Sequence, residues 1–265
     1  MSIMREKIEK EFLKHGNNFH YQVVDFLREK EWLTTVSPYY SDFATNITRE
    51  VDIHAQKNKH ISTFHREDSK DVKIEIFAEC KYINKKTGLW FDTSKDENKL
   101  FKFSARKLKY KGDYAKTLFR DGIDHPHHLK NEPVVKLFAV ESGRKRENED
   151  LYKAVNQCLS SLVFYKNTKL NQVDRDKLVG FKYQLPIIII NDFSSLFKVR
   201  NDEIDKISNE EIYIPLEVNY AYLDKDQRSK NEYFLIDLVN FTKMDNYLDI
   251  LESDAEKIGE HIFDK

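Results

Sequence analysis

A short apolar run late in the chain constrains the fold more than any other feature of the sequence. Residues 185–191 contain four consecutive isoleucines, preceded by leucine and proline and followed by asparagine. A run of β-branched residues of this length predicts a strand that is buried on both faces of a sheet. Residues 151–162 precede it with apolar side chains at helical spacing. A helix that leads into a doubly buried strand predicts an α/β protein.

Helical and strand patterns alternate along the rest of the chain. Apolar residues three and four positions apart predict a helix over residues 17–27 and a closing helix over residues 244–262, and a weaker helical period covers residues 3–14. Strand patterns cover residues 32–40, 51–56, 72–83, 134–140, 212–223 and 233–241. Apart from the strand pattern at residues 134–140, the order up to residue 191 is therefore α-β-β-β-α-β, with strands and a helix added after it. Because no linker or repeat separates these parts, we predict a single domain over residues 1–265, with an insertion near residues 85–130.

Composition excludes several classes of protein. The 265 residues carry a formal net charge of −1, so binding to nucleic acid would depend on local basic patches rather than on the field of the whole molecule. The two cysteines, Cys80 and Cys158, are too few for a disulfide framework and suit a reducing cytosol. No apolar run approaches the roughly 20 residues of a membrane span. Residues 1–15 also have no signal-peptide core. We expect a cytoplasmic protein without a membrane partner.

Two carboxylates and one lysine fall on neighbouring predicted strands. Side chains alternate along a strand, so Glu79 and Lys81 share one face while Cys80 occupies the other. Residues 49–55 predict a short strand that carries Asp52, and residues 57–70 predict a polar hairpin loop after it. If these strands pair, Asp52 joins Glu79 and Lys81 at one edge of the sheet. Such a group has the chemistry to hold a hard divalent cation and to activate a water molecule beside it.

The spacing of Asp52, Glu79 and Lys81 resembles the PD-(D/E)xK nuclease superfamily, although the proline of the family name is absent. With the helix before them, they look like the Mrr-like bacterial branch, and the resemblance is best over residues 17–83. It implies a restriction-endonuclease-like fold, a mixed central sheet flanked by helices. It also implies Mg²⁺ or Mn²⁺, held by Asp52, Glu79 and the backbone carbonyl of Cys80. Lys81 would orient or deprotonate the attacking water, or neutralise the phosphate.

The same resemblance assigns a polar residue on the first helix to the metal site. Gln22 lies at the edge of the apolar stripe of that helix and is our candidate, with His20 and Tyr21 as alternatives. An ordinary buried amide explains Gln22 equally well.

Glu50 and Gln157 are two further candidates. Glu50 precedes Asp52 by two positions and would share its face in one strand, as an auxiliary ligand or as the partner of Arg49 in a surface ion pair. Gln157 lies beside the apolar face of the helix at 151–162. Some branches of the resembled superfamily place a glutamine there against the substrate backbone, whereas an ordinary helix glutamine is the plainer explanation.

Residues 99–120 combine basic and aromatic side chains. Lys102, Arg106, Lys107 and Lys109 are the candidate contacts to nucleic acid, since lysine and arginine suit phosphates and the interleaved aromatic rings suit bases. A solvated helix with an aromatic core face is the alternative. Residues 124–128 are rich in histidine, but without a cysteine pair they predict a loop rather than a metal site.

Together these residues predict a Mg²⁺-dependent nuclease that hydrolyses phosphodiester bonds in DNA, with a defence role against foreign DNA and a homodimer suggested by the resemblance. The alternative is a non-catalytic nucleic-acid-binding or assembly module on the same fold, or a nuclease that is active only in a larger complex. An intact acid–acid–lysine set favours catalysis.

Overall fold

A computed structural model describes residues 16–61, 70–91, 108–109, 127, 134–141, 144–146, 149–167, 179–200 and 203–263. In this part of the chain the α-helices are α1 (Gly16–Glu29), α2 (Glu149–Asn167) and α3 (Met244–Phe263). A 3-10 turn, Phe241–Lys243, leads directly into α3. Among the residues described, no helix has both the length and the apolar character needed to cross a membrane.

The strands cover most of the remaining described residues. They are β1 (Leu33–Val36), β2 (Tyr39–Ser41), β3 (Thr48–Glu50), β4 (Ile53–Ile61), β5 (Lys70–Lys81), β6 (Thr87–Phe91), β7 (Leu108–Lys109), β8 (Val134–Glu141), β9 (Arg144–Arg146), β10 (Val179–Ile190), β11 (Leu196–Arg200), β12 (Glu203–Lys206), β13 (Tyr213–Leu223) and β14 (Ser229–Asn240).

Twelve of these strands form one mixed sheet within the described part of the chain. Its order is β1-β4-β5-β10-β14-β13-β8-β6-β11-β12, with β7 paired to β10 and β9 paired to β8. Strand β10 lies parallel to both β5 and β14, whereas β4 runs antiparallel to β5. Strands β2 and β3 pair with each other in a separate small sheet. The predicted α/β class with a mixed central sheet is therefore confirmed.

Helices cover both faces of this sheet. On one face, α1 and α3 pack against alternate residues of the central strands, such as Ile74 and Ile76 of β5. On the other face, α2 packs against the intervening residues, including Phe77 of β5. The run at residues 187–190 is completely buried, with Ile187 and Ile189 in the first core and their neighbours in the second. The prediction of a doubly buried strand is confirmed.

The single acid-bearing strand predicted at residues 49–55 is wrong, because the strand is interrupted at Val51 and Asp52. Strand β3 ends at Glu50 and pairs with β2, and β4 begins at Ile53 in the main sheet. The cause is a pair of hydrogen bonds between Asp52 and the end of β5. The carboxylate of Asp52 accepts the backbone N–H of Cys80 at 2.8 Å, and the N–H of Asp52 points to the side chain of Glu79 at 3.3 Å. These bonds take the place of a strand ladder at this position.

Other predicted boundaries also shift. The strand predicted at residues 32–40 divides into β1 and β2 at Ser37, whose φ of 48° turns the chain. The polar loop predicted at residues 57–70 starts too early, because β4 continues to Ile61. Strand β6, at the start of the predicted insertion, lies inside the main sheet between β8 and β11. The weak helix predicted at residues 3–14 lies outside the described residues.

Candidate active site

The candidate site lies at the carboxyl end of β5. Glu79 and Lys81 face α2, while Cys80 belongs to the core under α1 and α3, so the predicted alternation is confirmed. Strand β10 ends beside this point, with Ile188 opposite Glu79 and Ile190 opposite Lys81. The apolar neighbours leave Glu79 with no exposed surface.

Asp52, Glu79 and Lys81 come together as expected. The ammonium nitrogen of Lys81 lies 2.9 Å from Oε2 of Glu79 and 4.0 Å from Oδ2 of Asp52. Hydrogen bonds to backbone N–H groups fix both carboxylates, as described above for Cys80 and Asp52. Two carboxylates therefore bracket one cation at the end of a strand.

Burial and the attraction between opposite charges shift the pKa values of Glu79 and Lys81 in opposite directions. Burial raises the pKa of Glu79 to about 7, with a further rise from the charge of Asp52 and a partial reduction from Lys81. For Lys81, burial alone would lower the pKa, but the attraction of Glu79 and Asp52 outweighs it and the net pKa is raised. Lys81 is thus held as an ammonium ion, which suits a contact with a phosphate oxygen better than removal of a proton from water.

On α1, His20 rather than Gln22 reaches the site. The Nε2 of His20 donates to the backbone carbonyl of Asp52 at 3.0 Å. Gln22 is exposed and makes no hydrogen bond to another described residue, so the structure gives it no contact with the site. The reason is the helical phase: Phe19 and Val23 define the buried face, and His20 lies at its flank while Gln22 turns to solvent.

Gln157 on α2 connects the small sheet to the site. Its Nε2 donates to the carbonyl of Glu50 at 3.2 Å, and its own backbone carbonyl accepts the hydroxyl of Tyr40 at 3.2 Å. Its side-chain oxygen Oε1 is buried and has no hydrogen-bond partner in the described part of the chain. A buried amide oxygen without a partner is costly, and it is available to a ligand or a water molecule.

Glu50 does not share a strand face with Asp52, because β3 ends at Glu50 and Asp52 lies in the connection to β4. The surface ion pair suggested between Glu50 and Arg49 is also wrong. Arg49 instead pairs with Asp42 at 2.9 Å across the turn between β2 and β3. Only the backbone of Glu50 has a described contact near the site, through Gln157.

The basic contacts predicted for nucleic acid are only partly described. Lys102, Arg106 and Lys107 lie outside the described residues. Lys109 belongs to β7, where its backbone pairs opposite Lys182 of β10. At this position the chain forms a strand rather than the alternative solvated helix.

A second buried charged cluster, which the sequence analysis does not predict, lies on the α3 side of the sheet. His127, which falls within the predicted loop, binds Asp254 through Nδ1 at 2.6 Å and Asp237 through Nε2 at 3.2 Å. The hydroxyl of Tyr247 donates to Asp237 at 2.7 Å. Burial alone would lower the pKa of His127, but the two carboxylates outweigh it and the pKa is raised. The only signals in the sequence are an aspartate within the apolar run of β14 and another on the apolar stripe of α3.

The donor chemistry at Asp52 and Glu79 fits a hard divalent cation. Both side chains offer carboxylate oxygens, which Mg²⁺ and Mn²⁺ prefer, and they already gather around one positive charge. The amide oxygen of Gln157 on α2 is buried without a described hydrogen-bond partner, but its described contacts are with Glu50 and Tyr40 rather than with the two carboxylates. Among the described residues, however, no group of three or more histidine, cysteine, aspartate or glutamate side chains is arranged to hold a metal ion.

Comparisons of the chain with protein-family models, with curated proteins and with solved structures found no significant match. The arrangement of residues therefore carries the functional argument by itself. The fold and the site define an α/β protein with an acid–acid–lysine group at the end of a central strand.

Proposed function

We propose that this protein is a metal-dependent nuclease that hydrolyses phosphodiester bonds in DNA. The observation that carries the proposal is the convergence of Asp52, in the connection between β3 and β4, with Glu79 and Lys81 at the end of β5. An ordinary solvated edge strand would not bury Glu79 or direct two acids at one lysine.

The order of elements supports a restriction-endonuclease-like fold. Helix α1 is followed by β1, β4 and β5, then by α2 and by β10, which lies parallel to β5. This corresponds to the α-β-β-β-α-β core of the superfamily that the sequence resembles. The small sheet of β2 and β3, strands β6 to β9 between β5 and α2, and the strands after β10 are additions to that core.

In the proposed reaction, Asp52, Glu79 and the backbone carbonyl of Cys80 would hold Mg²⁺. Bound Mg²⁺ supplies a water of lowered pKa and offsets the negative charge that develops on the phosphate. The oxygen of a water molecule would form a bond to phosphorus as the bond from phosphorus to the leaving oxygen breaks; the water would release a proton to solvent, and the leaving oxygen would take up a proton from solvent. Lys81, held as an ammonium ion, would bind a non-bridging phosphate oxygen and stabilise the added charge.

A second candidate function is a binding module without turnover. It is favoured by the complete burial of Glu79 and by its direct ion pair with Lys81. Because the two side chains neutralise each other's charge, they need no bound ligand. Buried ion pairs add little net stability, so stability alone does not explain why the trio is present. Homodimerisation, a larger complex and a defence role stay predictions from the resemblance.

The test is cleavage of single-stranded DNA, plasmid DNA and linear duplex DNA with Mg²⁺, Mn²⁺ or EDTA. We expect metal-dependent cutting by the wild type and at least a 100-fold loss in Glu79→Ala and Lys81→Ala. Glu210→Ala and Lys243→Ala remove the partners of an exposed ion pair elsewhere and serve as matched controls. Equal cutting by all four variants would reject the assignment of the site, and no cutting or metal binding by a folded wild type would reject the nuclease.

A further inference from the structure

Three exposed tyrosines belong to, or directly follow, elements that border the candidate site. Among the tyrosines whose exposure the structure describes, the three highest are Tyr39 at 70%, Tyr21 at 59% and Tyr82 at 39%. They belong to β2, to α1 and to the residue directly after β5. By contrast, Tyr40, Tyr183 and Tyr247 are buried. We refer to Tyr21, Tyr39 and Tyr82 as the tyrosine rim.

Hydrogen bonds to the carbonyl oxygen of Asp52 hold the segments that carry Tyr21 and Tyr39. The carbonyl oxygen of Asp52 accepts the N–H of Ser37 at 2.8 Å and the Nε2 of His20 at 3.0 Å. Ser37 precedes Tyr39 by two residues, and the ring of His20 stacks on that of Tyr21 with centroids 5.7 Å apart. The segments that carry both rings are therefore held by the residue that carries the first acid.

Tyr82 is placed by its position in the chain. It follows Lys81 directly, and its ring meets the edge of Phe19, with centroids 6.3 Å apart. Phe19 lies on α1, so Tyr82 packs against the helix that also carries Tyr21. Tyr39 lies opposite Glu50 in the small sheet.

The hydroxyl groups of the tyrosine rim make no hydrogen bond with other described residues, and each of the three side chains is more than a third exposed. Exposed rings stack on nucleobases, an interaction that depends little on sequence because every base has a π face. Paired bases in a duplex offer only their edges in the grooves. A rim of stacking rings beside an acid–acid–lysine site thus suits bases that are not paired.

We propose that the tyrosine rim binds unpaired nucleobases next to the bond that is cut, so that the preferred substrate is DNA with unpaired bases. Single strands, frayed ends and bubbles all supply this chemistry. The stacking surface itself is independent of catalysis, whereas the statement about the substrate rests on the proposed nuclease function.

The experiment measures binding without metal, in EDTA, so that no cutting occurs. The probe is a DNA strand with a fluorescent adenine analogue whose emission falls on stacking, offered as a single strand, within a bubble and within an intact duplex. We expect the wild type to bind the single strand and the bubble at least tenfold more tightly than the duplex, with quenched emission.

The triple variant Tyr21→Leu/Tyr39→Leu/Tyr82→Leu removes the rings but keeps apolar side chains, and should lose about tenfold in affinity for each ring that stacks. The matched triple variant with phenylalanine at the same positions keeps the rings and should bind and quench as the wild type does. Trp90→Leu removes an exposed ring on β6, which is separated from β5 by four strands of the sheet. This variant should leave the affinity and the quenching unchanged. Tyr39→Leu alone, at the most exposed position, gives the same test if the triple variant does not fold.

Two results would overturn the tyrosine rim: equal affinity of the leucine and phenylalanine variants, or a preference of the wild type for the intact duplex. Cleavage in Mn²⁺ separates this from the proposed function. Stacking without cutting would reject the nuclease and keep the rim. Cutting of duplex DNA that the leucine variant retains in full would reject the rim and keep the nuclease.

Discussion

Two buried groups on opposite faces of the same sheet have almost the same composition and very different surroundings. One is Asp52 and Glu79 around Lys81, on the α2 face. The other is Asp237 and Asp254 around His127, on the α3 face. Each has two carboxylates and one cation. We call the first the open trio and the second the closed trio.

The difference between the two groups is access. In the open trio about a fifth of the side chains of Lys81 and Asp52 is exposed, at 21% and 20%. In the closed trio both ring nitrogens of His127 bind carboxylates, and the exposed fractions of all three side chains are below a tenth. Residue types alone would nominate both groups as functional sites. We therefore propose a ligand only for the open trio, whereas the closed trio connects three segments of the chain.

The largest expected effect comes from the closed trio. His127→Ala leaves Asp237 and Asp254 buried without their cation and should destabilise the protein by about 3–5 kcal/mol. Urea unfolding at neutral pH measures this change. The matched control is His60→Ala, which removes an exposed histidine paired with Asp71 and should cost less than about 1 kcal/mol. A loss of similar size in both variants would contradict the assignment of the closed trio as an attachment.

The open trio should respond in the opposite way. Glu79→Gln removes a carboxylate that burial disfavours in its charged form, and should stabilise the metal-free protein at pH 8 by at most about 3 kcal/mol, because the raised pKa of Glu79 already includes the attraction of Lys81. The same variant should lose DNA cleavage. Thermal unfolding in EDTA, beside the cleavage assay, measures both effects. A variant less stable than the wild type by several kcal/mol would show that the open trio is also a structural attachment.

The pH dependence sharpens this contrast. The pKa of Glu79 is raised from 4.5 to about 7, so the folded protein favours the protonated acid. Its contribution to stability is fully present below the unfolded pKa and is lost as pH rises through the folded value. The advantage of Glu79→Gln in metal-free unfolding should therefore grow between pH 4.5 and pH 7 and level off above. A difference that stays constant across this range would contradict the raised pKa.

The smallest expected effect concerns Gln157. Gln157→Leu loses one hydrogen bond to Glu50 but also removes a buried oxygen without a described partner, so stability should change by less than about 1 kcal/mol. If that oxygen serves a ligand of the open trio, cleavage should fall by about tenfold. Unfolding and cleavage measured on the same preparation separate the two roles, and an unchanged cleavage rate would leave Gln157 as a structural residue.

Local patterns were sufficient to predict the central strands and the open trio. Strand alternation placed Glu79 and Lys81 on one face, and the isoleucine run identified β10 as a doubly buried strand. Both inferences use information within a few residues of the chain. The α/β class followed from the order of these patterns.

Long-range contacts explain what the sequence did not predict. The break at Asp52 depends on bonds to residues 27 and 28 positions away, at Glu79 and Cys80. The closed trio joins His127 to partners 110 and 127 positions away. No local period signals such pairs. Gln22 was preferred over His20 because the edge of an amphipathic stripe is ambiguous by one or two positions until the helix has docked.

Binding of Mn²⁺ tests the central claim most directly, because it asks whether the open trio holds a cation before any substrate is present. Calorimetry at pH 8 should show one site in the wild type and in His60→Ala. That site should be lost in Asp52→Asn and in Glu79→Gln while both remain folded. Unchanged binding in these two variants, or no binding by the folded wild type, would contradict the account.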